Sequence, residues 1–484
     1  MAAHHDTPLK IEQFTFSSGL KKTLLSIILI GAVIAVLGIW VAWNAEQHPH
    51  EEAHGSAHSS AIHDATPPAE LVSTNHPEGE GHGAQAETHA ATEHKEHGEH
   101  EAPKEHDDHA EHGAAPHGDA HHGPSWLTRI FANLLLNNVL FVGVSIFGVF
   151  FIALNYVANA GWAVGLKRIP ESLGSFLPIG FILMLLIIPG MSYLYHWSAE
   201  GITDPASPAY DAIIAGKAAY LNVPFFIVRL ALIFGIWILF YTILRKLSIK
   251  EDKEGGLIPY QKSIRTSALF IICFAFTLMM ASWDWLMSID THWFSTIYWV
   301  YTLSGVILSG FITVTFILLY LKGQGLMGHI NNNHFHDLGK FIFGFSIFWA
   351  YIWLSQFLLI WYANMPEETL YYVPRFQGHY KLIFFLNLFI NFFTPFLYLM
   401  TREAKRQANS LKVILFILIF GRWLDLYLMI MPGTVAEHNG FIMEIGFFLI
   451  YFGIFGYVVM QALTKMPLVP KNHPLLEESL QHHI

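Results

Sequence analysis

Residues 293 to 321 read WFSTIYWVYTLSGVILSGFITVTFILLYL, with no charged residue between Trp293 and Leu321 before Lys322 ends the run. An α-helix rises about 1.5 Å per residue and the hydrocarbon core of a bilayer is about 30 Å thick, so this stretch is long enough to cross a membrane. Residues 24 to 43 and 130 to 158 have the same character. The composition agrees: 13% of residues are charged and 53% hydrophobic, where a soluble domain carries about a quarter charged. Apolar runs between polar breaks give ten spans, at 22–43, 129–158, 173–197, 218–245, 264–289, 293–321, 340–363, 380–401, 411–432 and 438–463. The expected fold class is an all-α integral membrane protein of about ten transmembrane helices, arranged as two four-helix bundles with peripheral first and last helices.

The first span follows Lys21 and Lys22 and is too long for the apolar region of a signal peptide, so it reads as an uncleaved anchor. Lys and Arg collect on one side of the spans, 19 against 6, with Arg229 and Arg422 inside them. The positive-inside rule then predicts cytoplasmic termini. The expected organisation is a cytoplasmic N-terminus at 1–21, an anchor at 22–43, a periplasmic low-complexity segment at 44–124, bundles at 125–289 and 290–432, a last helix at 433–463 and a cytoplasmic tail at 464–484.

Residues 46 to 123 hold 17 His and 17 Asp or Glu and almost no large apolar side chains, so they cannot bury a core. Imidazole and carboxylate both ligate zinc and copper, which makes residues such as His94, His97 and His100 speculative metal ligands; no fixed ligand spacing appears, however, and a merely solvated tether explains the composition and is the favoured reading. Cys273 is the single cysteine, so the chain forms no internal disulfide, no Cys-ligated iron–sulfur cluster and no C-x-x-C-H haem attachment.

Ionisable residues inside spans are costly and mark candidate functional pathways. Arg422 lies ten residues past Lys412, roughly 15 Å into the membrane at helical rise, and Asp425 shares its helical face. The pair reads either as an internal ion pair or as a proton relay or quinol-proton acceptor. Arg229 is placed near the middle of its span. Glu444, with no basic residue within four positions, reads as a hydrated carboxylate at the helix mouth or as a relay. Asp284, between Trp283 and Trp285, reads as a residue of the interfacial aromatic belt or as an acceptor of a hydroxyl proton. His196, Asp290, His292, Glu437 and His438 are placed at the outer rim. Asn387 and Asn391, spaced i, i+4, are expected to face one neighbouring helix. Pro189-Gly190, Pro224 and Pro395 are expected helix breaks.

Three stretches, SWDWLMSIDTHWFS at 282–295, WYANMPEE at 361–368 and GRWLD at 421–425, resemble the F subunit of bacterial alternative complex III, of the polysulfide-reductase-membrane-subunit (NrfD-like) family. The resemblance covers residues 125 to 465 and leaves out the His-rich segment. It implies a cofactor-free, multi-pass subunit in the bacterial inner (cytoplasmic) membrane, part of a quinol:cytochrome c or quinol:oxidase oxidoreductase, that supports menaquinol oxidation and proton translocation. It further implies a related C subunit, an iron–sulfur subunit, haem c subunits and a terminal oxidase as partners, with lipid and no nucleic acid. The C subunit is then the better candidate for the productive quinol site. An independent secondary transporter or proton channel without redox partners remains the other reading.

Overall fold

The computed structural model describes residues 12–47, 125–435 and 440–483. Ten helices among them are long and apolar enough to cross a membrane. They are α1 (Ser18–Gln47), α2 (Ser125–Val157), α3 (Arg168–Leu194), α4 (Val223–Glu254), α5 (Leu257–Ile289), α6 (Tyr298–Gly323), α7 (Asn332–Ala363), α8 (Gly378–Tyr398), α9 (Ala408–Gly433) and α10 (Ile442–Leu463). The chain is thus an all-α, multi-pass membrane protein. The metal-ligand reading of His94, His97 and His100, and the rim positions of Glu437 and His438, lie outside the described residues.

Local chemistry sets the helix ends. Asn222 caps α4 by accepting from the Phe225 N–H at 2.9 Å, and Pro224 sits in the first turn, where its missing N–H costs nothing. Pro224 therefore starts a helix rather than breaking one, which corrects the sequence expectation. The other two prolines do interrupt. α3 tightens into a 3-10 turn at Ile188–Gly190. α8 carries a π-turn at Phe389–Phe393, just before Pro395, which has no N–H to offer the Asn391 carbonyl.

The first set of four helices, α2 to α5, and the second, α6 to α9, meet where α2 packs on α6 and α9. α2 and α6 are the innermost helices, each with 83% of its most apolar window buried, against 22% for α1. α1 lies outside both sets, against α10, which in turn rests on α2 and α3. Small residues allow this contact: a Cβ on Gly38 would sit 2.6 Å from the Met443 backbone, and one on Gly446 would sit 2.4 Å from the Ala35 nitrogen.

The two ends of the described residues meet on one face, here called the terminal face, where the Leu468 N–H donates to the Glu12 carbonyl at 2.9 Å. The C-terminal segment then crosses both sets: Lys471 N–H donates to Asp252 at 3.2 Å, Ser479 Oγ donates to the Trp162 carbonyl at 2.8 Å, and His482 bonds Asp337 at 2.6 Å.

Candidate functional site

Asp425 stands at the crossing of the second four helices. Arg422, one turn earlier on α9, donates to its Oδ2 at 2.6 Å. From α6 the Tyr301 hydroxyl donates to Oδ1, from α7 Trp349 Nε1 donates to Oδ2 at 3.2 Å, and from α8 Asn387 Nδ2 donates to Oδ1 at 2.9 Å. Each helix of the set thus directs one donor at a carboxylate that is 1% exposed. Asn391 donates to Asn387 Oδ1 at 2.6 Å and to the Gly421 carbonyl at 2.9 Å, so both amides face α9 as their spacing predicts. Gly305 leaves room for the guanidinium, since a Cβ there would meet Arg422 Nη2 at 2.5 Å.

From Tyr301 the polar groups continue toward the face opposite the termini. A cavity of about 20 Å³ is lined by Tyr301, Gln356, Tyr371, Tyr372, Arg375 and Asn387, among others. That is the room of a water molecule and too little for a quinone ring. Arg375 closes the far side, donating to the Leu428 carbonyl at 2.9 Å and to Asp290 Oδ2 at 3.2 Å, with its guanidinium 3.4 Å from the centre of the Tyr371 ring. Burial pushes the Tyr371 and Tyr372 phenols above their ordinary range, so both remain proton donors. Asp290, between Arg375 and the surface, is the last carboxylate of the file.

Two further arginine–carboxylate pairs lie near helix ends on that same opposite face. Arg229 donates to Asp284 from Nε at 2.6 Å and from Nη2 at 3.1 Å, and its Nη1 donates to the Tyr220 carbonyl at 2.9 Å. Arg229 falls in the second turn of α4, because that helix starts at Val223 and not at 218; the mid-span placement is corrected. Asp284 is buried and ion-paired, so it is not a belt residue. Arg129 of α2 grips Glu444 of α10 through Nε and Nη2, both at 2.6 Å, and Asn133 adds a donor at 3.3 Å. Glu444 is therefore buried and paired, correcting the hydrated reading; its cation comes from another helix, where local spacing carries no signal. His196 is partly exposed, its ring 6.2 Å from that of His292, which bonds Asp211 at 2.6 Å. The structure thus joins Arg422 with Asp425 and Arg229 with Asp284, and leaves Glu444 and His196 in separate clusters.

Sequence reasoning missed the donors Tyr301 and Trp349, the closing Arg375, the partner Arg129 and a buried network on the terminal face. In that network Arg168 bonds Glu171 and Ser248 at 2.6 and 2.7 Å, and also Asp252. Lys167, its ammonium pushed to lower pKa by burial, lies 3.3 Å from Glu251. The i, i+3 spacing of Arg168 and Glu171 was the one visible signal. Among the described residues no group of three or more His, Cys, Asp or Glu side chains is arranged to hold a metal ion. No protein-family model matches the chain, and no curated protein matches it in sequence.

Proposed function

We propose that the chain is a cofactor-free membrane subunit of a bacterial quinol-oxidising respiratory complex of the alternative complex III type. In this reading it resides in the cytoplasmic membrane with both termini in the cytoplasm. The observation that supports it is the file from Asp425 through Tyr301 and the cavity to Arg375 and Asp290. Two of the three stretches that carry the resemblance supply its ends, Asp425 from 421–425 and Asp290 from 282–295. A carboxylate deep in a membrane, a phenol bonded to it and a water-sized space beyond are the parts a proton path needs. Menaquinol chemistry is assigned to the related C subunit, as the resemblance implies. Iron–sulfur and haem c subunits lie on the opposite face, with a terminal oxidase as electron acceptor. This chain scaffolds the membrane arm and moves protons.

Two measurements test the reading. The tagged chain, isolated from its native membrane in mild detergent, is expected to bring haem absorption, iron and quinol oxidation with it; a homogeneous chain that is alone would overturn the assignment and favour a transporter. Tyr301→Phe keeps the ring and removes the hydroxyl. The assembled complex is expected to retain electron transfer and lose proton movement in vesicles by about 100-fold, the lower end for a lost acid–base group. Unchanged proton stoichiometry would remove the path while leaving the complex assignment standing.

A further inference from the structure

We propose that the terminal face of the second four-helix set carries a binding site for the headgroup of an anionic phospholipid, between α7 and the short helix Arg402–Arg406 that joins α8 to α9. Gly339 lets that helix lie directly on α7, since a Cβ there would meet Lys405 Cβ at 2.9 Å. The packing brings four cations together. Lys405 is buried and turned inward, its ammonium donating to the Leu399 and Met400 carbonyls that end α8. Lys340 is exposed and bonds Asp337 at 2.6 Å, and Arg406 bonds Asn333 at 2.9 Å. Arg402 is exposed on the same short helix.

His336 lies within electrostatic reach of Lys340, Arg402 and Arg406. It is 8% exposed, and among the described residues neither its Nδ1 nor the Nε of Arg406 has a hydrogen-bond partner. Asp337 and Glu403 offset only part of this charge. The positive field is therefore an excess held at one place, with buried nitrogens that lack partners, as an anion with several oxygen acceptors requires.

The surroundings decide the source of the anion. Leu397 and Met400 just before the short helix, and Val413 and Phe416 just after Lys412, are exposed apolar side chains on the flanks of α8 and α9. A ligand with an anionic phosphate and acyl chains satisfies the cations and these side chains together, whereas free phosphate satisfies the cations alone. The site stands apart from the Asp425 file, and its test needs no redox activity.

The full chain is delipidated in a neutral detergent and titrated with phosphatidylglycerol, with phosphatidylcholine of the same acyl chains, and with inorganic phosphate, and bound lipid is counted by native mass spectrometry. Phosphatidylglycerol is expected to bind about tenfold or more tightly than phosphatidylcholine, consistent with a few cations near one headgroup. The variant with Lys340→Gln, Arg402→Gln and Arg406→Gln loses that preference with phosphatidylcholine binding unchanged, and Lys340→Arg keeps it. Exposed lysines at the terminal-face end of α4 provide the control, so Lys246→Gln with Lys250→Gln keeps the preference as well. Equal binding of the two lipids by the native chain, or a preference surviving in the triple variant, would overturn the site. Loss in the α4 control would reduce it to unspecific charge, and competition by inorganic phosphate at equal concentration would overturn the lipid assignment.

Discussion

The two sets of four helices treat buried charge in opposite ways. The first keeps it at the ends: Arg168, Glu171, Glu251 and Asp252 at the terminal face, Arg229 with Asp284 near the other. Among the described residues the polar groups of its middle are neutral ones, such as Asn138, which donates to the Gly180 carbonyl at 3.0 Å, and Trp237, which donates to Thr277 at 2.8 Å. The second set places Arg422 and Asp425 in the middle and surrounds them with Tyr301, Trp349, Asn387 and Asn391. An arginine near a helix end that loses its partner retains access to water or a loop carbonyl by a small shift of its long side chain. An arginine in the middle does not. The same ion pair is therefore replaceable in one set and indispensable in the other.

The largest expected effect is at Asp425. Asp425→Asn leaves the Arg422 guanidinium buried without a counter-charge, and thermal unfolding of the full chain in detergent is expected to show a loss of about 3–5 kcal/mol. Exchanging the two, Arg422→Asp with Asp425→Arg, is not expected to restore stability, because the Tyr301, Trp349 and Asn387 donors converge on position 425 and would then face a cation. Full recovery on exchange would mean that these donors contribute little.

A smaller loss is expected at the ends. Asp284→Asn leaves Arg229 with the Tyr220 carbonyl and with the Tyr220 and Phe225 rings, 3.9 and 4.3 Å from its guanidinium. Glu444→Gln leaves Arg129 with the Gly440 carbonyl at 2.8 Å. Each is expected to cost about 1–3 kcal/mol in the same unfolding assay. A loss equal to that of Asp425→Asn would erase the contrast between the two sets.

Near neutral pH the smallest effect is at His473, where it shows only as a slope on the acid side. His473 packs beside Glu251, 3.6 Å away, and its Nδ1 accepts the Leu475 N–H at 3.2 Å. Burial, with Lys167 and Arg168 nearby, pushes its pKa from 6.5 down to about 3. Below pH 6.5 the unfolded chain therefore takes up a proton that the folded chain refuses. The contribution to stability is complete above about 6.5 and is lost progressively as pH falls toward about 3. The slope from this one group stays below about 1.4 kcal/mol per pH unit. His473→Gln is expected to flatten the stability profile across that window; a profile unchanged by the substitution would place the acid sensitivity elsewhere.

The sequence alone determined the membrane class, ten spans and the shared face of Arg422 with Asp425 and of Asn387 with Asn391. Uncharged runs of membrane-spanning length and i, i+3 or i, i+4 spacings are properties of one helix and need no partner to be read. Only the tertiary structure decided what each buried charge meets. Arg129 and Glu444 are 315 residues apart, Arg229 and Asp284 are 55 apart, and Tyr301 and Asp425 are 124 apart. In each case the partner comes from a different helix, and which helices adjoin is settled by packing. Hydropathy placed Arg229 too deep for a local reason: residues 218–221 are apolar enough to extend the span, but the Asn222 side chain caps the helix by accepting from the Phe225 N–H, so α4 starts at Val223 and Arg229 lies only in its second turn.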